Sequence, residues 1–183
     1  MNRTGHICLL ADYNAWMNAK LYDAARRLPD EVRVADRKAF FGSIVGTLNH
    51  LVVGDTLWLK RFATHPAPYP ALDAVRGLAH PTRLDEVLFS DFEALAARRK
   101  LLDGVIVEWT RSIADGDLGQ VLSFTSMTGV AARKDFFSLL MNFFNHQTHH
   151  RGQVTTLLSQ AGIDVGVTDL LALIANEEVE HAG

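Results

Sequence analysis

Apolar residues recur at spacings of three and four along four long stretches of the chain, a pattern typical of amphipathic helices. In the first stretch, residues 5–28, this spacing aligns Tyr13, Met17 and Leu21 on one face, with polar residues between them. Pro29 follows and ends the predicted helix, because proline is not compatible with a helix interior.

The second stretch predicts a helix from Asp36, as its N-cap, to about residue 63. Its buried stripe is expected to contain Phe40, Ile44, Leu48, Leu51 and Leu57 or Trp58. Gly46 and Gly54 lie inside this helix, where a glycine costs about 1 kcal/mol relative to alanine. These glycines indicate a close helix contact or a site that needs space, unless the helix simply tolerates them.

The third and fourth stretches predict helices over residues 84–114 and 134–160. Four amphipathic helices favour an all-α protein with the architecture of a four-helix bundle, because each apolar face must be buried against another. Residues 1–183 show no internal repeat or boundary, so a single domain is expected.

The connections between the helices differ in composition. Residues 65–82 hold four of the five prolines, so a long irregular connection joins the second and third helices. Residues 118–132 alternate with a period of two and contain Thr128-Gly129, which predicts a small β-hairpin before the fourth helix. A short final helix is expected over residues 168–175.

Composition limits the classes of partner. The 18 Lys and Arg residues against 21 Asp and Glu residues give a net charge of -3, which argues against nucleic acid as the main partner. A single cysteine, Cys8, excludes an intrachain disulfide. No apolar run approaches the length of a membrane span, so we expect a soluble, cytoplasmic protein that does not engage a membrane.

Two histidines of the fourth helix form a candidate metal site. His146 and His150 are four residues apart and therefore project from one face. The apolar stripe of the helix continues along that face, which predicts that both imidazoles point into the protein. A divalent cation would offset the cost of burying their nitrogens, because it accepts a lone pair from each ring.

His50, in the middle of the second helix, is a candidate third ligand. Three histidines leave a coordination position open, as catalytic metal sites do. His149 is an alternative ligand to His150, but its angular position on the helix predicts that its side chain points toward a flank of the helix. The other histidines, His6, His65, His80 and His181, are expected to be surface residues.

A family resemblance accompanies these histidines. Segment 145–153, NHQTHHRGQ, resembles the HxxxHRGQ signature of the DinB superfamily, which pairs it with a single histidine on the second helix. Segments 13–18 (YNAWMN) and 50–58 (HLVVGDTLW) are similar to the first-helix and second-helix patterns of that superfamily. The likeness extends over nearly the whole chain.

The resemblance implies a bundle of up-down-down-up connectivity in which His50, His146 and His150 bind a divalent ion such as zinc or nickel. It also implies a homodimer. Related branches include mycothiol-dependent maleylpyruvate isomerase and bacillithiol transferases, so the resemblance implies a low-molecular-weight thiol as a further cofactor and a small molecule as substrate.

Residues 146–150 have the frame of the HExxH metalloprotease motif, but Gln147 stands where that motif has its catalytic Glu. An amide does not accept a proton at neutral pH, so a peptidase of this kind is disfavoured. A thiol ligand needs no separate strong base, which favours a metal-dependent, thiol-dependent transferase, with a hydrolase as the other enzymatic option. The alternative is a non-enzymatic bundle whose metal is structural or serves stress sensing.

Residues flanking the histidines are candidates for a substrate pocket. Tyr13, Asn14 and Trp16 lie on the first helix near its apolar face. Arg151 can hold a carboxylate or phosphate through its planar guanidinium, or pair with an acid of a neighbouring helix. Asp55 lies five residues after His50, too far round the helix for an expected contact with the ligands.

Overall fold

A computed structural model describes residues 2–176 of the chain. This part is mostly helical and contains a two-stranded antiparallel sheet, so the predicted helical character and the hairpin are confirmed. The helices are α1 (Arg3–Arg26), α2 (Asp30–Val34), α3 (Ile44–Phe62), α4 (Asp73–Arg76), α5 (Phe92–Ser112) and α6 (Phe136–Gln160). The strands are β1 (Val121–Thr125) and β2 (Ala131–Asp135). None of the helices within the described residues combines the length and hydropathy that a membrane span requires.

Each of the four long helices begins at a polar side chain that caps it. Asn2, Ser43, Asp91 and Asp135 precede α1, α3, α5 and α6, and each accepts a hydrogen bond from the backbone N–H three residues later. Caps of this kind contribute about 1 kcal/mol each. The caps therefore determine where each helix starts.

The core lies between the long helices. Helices α1 and α3 each pack against both α5 and α6. Each long helix contributes side chains with no exposed surface, such as Leu21, Leu48, Leu102 and Leu140. The contact between α3 and α6 brings together the two helices that carry the candidate metal ligands.

The start of α3 differs from the sequence prediction. The helix begins after Ser43 rather than Asp36, because Lys38 and Gly42 adopt φ values of 55° and 73°, which a right-handed helix does not accommodate. Phe40, predicted to be buried, is 85% exposed. Its neighbour Phe41 points to the site instead.

The start of α5 also differs, since the helix begins at Phe92 and not at residue 84. Asn49 of α3 holds the preceding segment: its side-chain amide donates to the carbonyl of Phe89 and accepts from the N–H of Phe89, both at 3.0 Å. These bonds satisfy the backbone N–H and C=O of Phe89 outside the helix. The segment therefore lies against α3 as an irregular connection.

The hairpin leads directly into α6. Strand β1 pairs with β2 from Val121 opposite Asp135 to Thr125 opposite Ala131, and Gly129 supplies the positive φ of the turn. Asp135 is both the last residue of β2 and the cap of α6, so the hairpin is fixed beside the start of that helix.

The predicted final helix over residues 168–175 is a single 3-10 turn, Leu170–Leu173. Side chains of α1 bind the backbone before this turn. The Tyr13 hydroxyl and the Lys20 ammonium each donate to a carbonyl, of Thr168 and Val167 respectively, at 2.6 Å. These contacts hold the segment before the turn against α1.

Candidate metal centre

Three imidazoles from α3 and α6 converge at one point. His50, His146 and His150 each offer a ring nitrogen, and these nitrogens lie within 4.8 Å of one another. His50 Nε2 is 3.1 Å from His146 Nε2 and 3.2 Å from His150 Nε2. The cluster forms because positions 146 and 150 are one turn apart on the face of α6 that packs against α3.

Hydrogen bonds orient two of the three rings. His50 Nδ1 is 2.7 Å from the carbonyl oxygen of Leu84, and His150 Nδ1 is 2.8 Å from Oε1 of Gln153. Both partners accept hydrogen bonds, so each Nδ1 carries the proton. The lone pairs of the Nε2 atoms then face the centre of the cluster, as metal-binding histidines require.

The ring of His146 is positioned by the shape of its surroundings and not by a hydrogen bond to its Nδ1. Its Nδ1 is buried without a partner among the described residues. A Cβ atom on Gly54 would lie 3.0 Å from Cε1 of His146, so a glycine at this position gives the ring its room. This agrees with one of the explanations that the sequence offers for Gly54, a site that needs space.

Burial keeps the three histidines neutral. Desolvation lowers the pKa of His146 to about 4, and it also lowers the pKa values of His50 and His150. In addition, a positive charge on one imidazole would disfavour protonation of its neighbours. At neutral pH the cluster is therefore an uncharged set of nitrogen donors.

Phe41 covers one side of the cluster. Its ring stacks on His50 with the centroids 3.7 Å apart and meets the edge of His150 at 5.5 Å. Gly46 makes this placement possible, since a Cβ atom there would clash with the carbonyl oxygen of Phe41. The glycine lets the preceding segment fold back closely onto the first turn of α3.

The donor atoms fit a divalent ion. Zinc binds imidazole nitrogen at about 2.0–2.1 Å, so two nitrogens that share one ion at angles between 90° and 110° lie about 2.9–3.4 Å apart. The separations of His50 Nε2 from the other two Nε2 atoms, 3.1 and 3.2 Å, fall inside this interval. Without an ion, facing lone pairs at such distances would repel one another.

A cavity of about 650 Å³ opens beside the cluster, between α3, α6 and the hairpin. His50 and His146 form part of its wall. The remaining lining is largely apolar and includes Leu57, Trp58, Phe124, Met127 and Leu139, together with Arg61 and Lys134. The cavity thus gives a small molecule direct access to two of the three histidines.

The other predicted site residues lie elsewhere. His149 is exposed, and its Nε2 is 3.3 Å from Nε2 of Gln153, the residue that holds His150. Tyr13 and Trp16 pack against each other with ring centroids 6.0 Å apart on α1. None of these three residues lines the cavity beside the histidines.

Asn14 and Arg151 are buried in a polar network and do not line that cavity either. Arg151 donates to the side-chain oxygens of Asn14 and Thr148. Among the described residues Arg151 forms no ion pair with an acid, the pairing that the sequence offered as one of its two roles. Its charge lies 5.3 Å from the centre of the Tyr13 ring.

Asp55 is at the centre of the network. Its carboxylate pairs with Arg99 of α5 and accepts from Nε2 of Gln147 at 2.9 Å. Arg99 also pairs with Asp103 at 3.0 Å. Position 147, where a metalloprotease would carry its base, therefore holds a side chain that is committed to joining α6 to α3 and α5.

Asp103 closes the network on α1. Its Oδ1 accepts from the amides of Asn14 at 3.0 Å and Asn18 at 2.9 Å. Burial raises the pKa of Asp103 to about 6, with a smaller contribution in the same direction from the neighbouring carboxylate of Asp55. The network connects all four long helices one layer away from the histidines. The sequence signal for it was the presence of charged residues on the inward faces of α3 and α5.

His65 corrects the prediction that it is a surface residue. Only 7% of it is exposed, because its ring lies against Phe136 and its Nδ1 accepts from the N–H of Ala67 at 3.0 Å. His80 is exposed as expected, His6 is half-buried, and His181 lies outside the described residues.

The fold and the site define a helical protein with a buried three-histidine cluster beside a cavity. Its sequence matches the model of the DinB family over residues 1–181, so the chain belongs to the DinB family. It is similar to the protein called Protein DinB of Bacillus subtilis (strain 168), with 27% identity over 160 residues that span 87% of this chain and 88% of that relative. No solved structure gives a significant match.

Proposed function

We propose that His50, His146 and His150 bind one divalent ion, zinc or nickel, and that the protein is a metal-dependent enzyme acting on a small molecule. The observation that carries this proposal is the convergence of three neutral imidazoles, of which His50 and His150 are buried and His146 is half-buried, with His50 Nε2 at 3.1 and 3.2 Å from the Nε2 atoms of the other two. Imidazole ligands suit both metals.

The cavity favours an enzyme over a purely structural metal site. A structural or sensing ion needs no access for a second molecule, whereas this cluster forms part of the wall of a cavity of about 650 Å³. Three protein ligands leave at least one coordination position for water or substrate. The position of the cavity beside His50 and His146 supports the presence of that free position on the accessible side.

The reaction class follows from the groups that surround the site. When bound, a divalent ion lowers the pKa of a thiol or water ligand and so supplies a nucleophile at neutral pH. The described residues that line the cavity include no Asp or Glu, and Gln147 is bound to Asp55, so no carboxylate base faces the substrate. A thiol needs the least help from such a base, which supports a thiol-dependent transferase ahead of a hydrolase.

The chain's own residues would hold and shield the reacting centre. Leu84 and Gln153 keep the protons on Nδ1 of His50 and His150, so the Nε2 atoms remain donors. Phe41 shields one face of the His50 ring from solvent by stacking on it. The helix contacts also support the finer architecture that we propose, a four-helix bundle of up-down-down-up connectivity, since α1 and α3 each contact α5 and α6.

Elemental analysis of the purified protein tests the proposal. Wild type should contain about one zinc or nickel ion per chain, and His150→Ala should contain little. His149→Ala is the matched control, because this neighbouring histidine is exposed and outside the cluster. Circular dichroism would verify that both variants are folded. Equal metal content in wild type and in His150→Ala would refute the metal site, and turnover that survives chelation would refute the metal-dependent reaction.

A further inference from the structure

The cavity beside the histidines carries positive charge without any compensating acid. Arg61 of α3 and Lys134 of β2 both line it, while its described lining contains no carboxylate. The protein as a whole has a net charge of -3, so this local excess of positive charge is not a consequence of composition.

Arg61 is held in place but unpaired. Its guanidinium carbon lies 4.7 Å from the centre of the Trp58 ring and 4.9 Å from that of Phe124, and Nη2 donates to the carbonyl of Thr125 at 3.3 Å. Within the described residues it forms no ion pair. Burial lowers its pKa.

The ion pairs of Arg99 show how this chain stabilises a buried guanidinium when no ligand is involved. Arg99 is fully enclosed and pairs with both Asp55 and Asp103. Arg61, in contrast, is half-buried, rests against the rings of Trp58 and Phe124, and faces a cavity. A planar guanidinium in such a setting is suited to bind a carboxylate, sulfonate or phosphate.

The distance between Arg61 and the histidines defines the length of a ligand. His50, Gly54, Leu57 and Arg61 all line the cavity from α3. At 1.5 Å per residue, the backbone positions of His50 and Arg61 are about 16 Å apart along the helix axis. The wall between the two ends is apolar.

We infer that the cavity binds an elongated small molecule with an anionic group at one end, an apolar body and a reacting group at the other end. The anionic group pairs with Arg61, assisted by Lys134, and the apolar body lies against Leu57, Trp58 and Leu139. This inference deepens the proposed function. Only the placement of the reacting group beside the histidines rests on that proposed function. The part of the cavity that binds the anionic group depends on Arg61 and requires no metal.

Calorimetry on chelator-treated protein, with octanoate and octanamide as probes, tests the anionic end alone. The two probes share shape and apolar body and differ in charge. Wild type should bind octanoate at least about tenfold more tightly than octanamide, as expected for a charge-assisted pair. Arg61→Met should remove this preference while keeping most of the apolar stem. Arg133→Met is the matched control, because Arg133 neighbours Lys134 but does not line the cavity.

Arg61→Lys provides a second variant that keeps the charge and loses the planar fork, and it should retain only part of the preference. Equal affinities of wild type for the two probes, undetectable binding of octanoate, or a preference that survives in Arg61→Met would each overturn the inference. The same titrations with His150→Ala separate the two proposals, because loss of the metal site should leave the preference for octanoate intact.

Discussion

The Nδ1–H group of His50 donates to the carbonyl oxygen of Leu84 at 2.7 Å. This bond joins a candidate metal ligand in the middle of α3 to the irregular segment that precedes α5. The segment is thereby part of the site, although it contains no ligand. Asn49, the residue before His50, holds the same segment through Phe89, so two adjacent positions of α3 fix the connection.

Gln153 should matter for metal affinity without being a ligand. Gln153→Leu removes the acceptor that orients His150, and loss of such a partner typically weakens metal binding by about 10- to 100-fold. Gln153→Glu keeps an acceptor and should retain tight binding. Competition with a chromogenic chelator measures both affinities. The exposed Gln160, at the end of the same helix, provides the control Gln160→Leu; an equal effect of the two leucine substitutions would contradict the role of Gln153.

Gly54→Ala should displace the ring of His146, because the added methyl group would lie 3.0 Å from Cε1 of that histidine. We expect metal affinity to fall by about tenfold, since a shift of a few tenths of an ångström is significant at a metal site. Gly104→Ala, in the middle of α5, meets no atom within 4 Å and should instead stabilise the fold by about 1 kcal/mol. An unchanged metal affinity in Gly54→Ala would show that the ring of His146 can shift to accommodate the methyl group without loss of metal binding.

Removing the charge of Arg99, which pairs with the buried Asp55, should reduce the free energy of unfolding more than removing the charge of an exposed arginine. Arg99→Met leaves two buried carboxylates without their cation, and we expect a loss of about 3–5 kcal/mol in the free energy of unfolding. Urea denaturation measures this loss. Arg3→Met is the control, because its exposed pair with Asp115 should contribute about 1 kcal/mol or less. Similar losses in the two variants would contradict a special role for the network.

Asp103 should give stability a distinctive pH dependence. Because burial raises its pKa from 3.8 to about 6, the folded chain binds this proton more tightly than the unfolded chain does. Its contribution to the free energy of unfolding is therefore present below about pH 4 and is lost as the pH rises through about 6. The histidines, with lowered pKa values, contribute a change of the opposite sign.

A comparison with Asp103→Asn isolates this contribution, because asparagine does not titrate. Urea unfolding of the metal-free proteins from about pH 4 to about pH 7 should show that wild type loses stability relative to the variant as the pH rises. A constant difference between the two proteins across this interval would mean that Asp103 titrates at its ordinary pKa in the folded chain.

Much of the helical scaffold could be predicted because its signals are local. Apolar spacing identified the four long helices, and a period of two with Thr128-Gly129 identified the hairpin. The errors fall at the boundaries, at Ser43 and Phe92, where long-range contacts decide the conformation. Asn49 binds the backbone of Phe89 outside the helix, and no pattern within residues 84–90 reveals this contact.

Helical periodicity along single segments was sufficient to predict the helical scaffold and the inward face that His146 and His150 share, and the position of His50 on such a segment made it a candidate ligand. Only the packing of the helices against one another shows that Arg61 and the hairpin form the cavity wall, and that Asn14 and Arg151 belong to a polar network instead. Cavity walls and buried networks are assembled from side chains of several elements. Their membership depends on the relative rotation and depth of packed helices, which spacing within one helix does not specify.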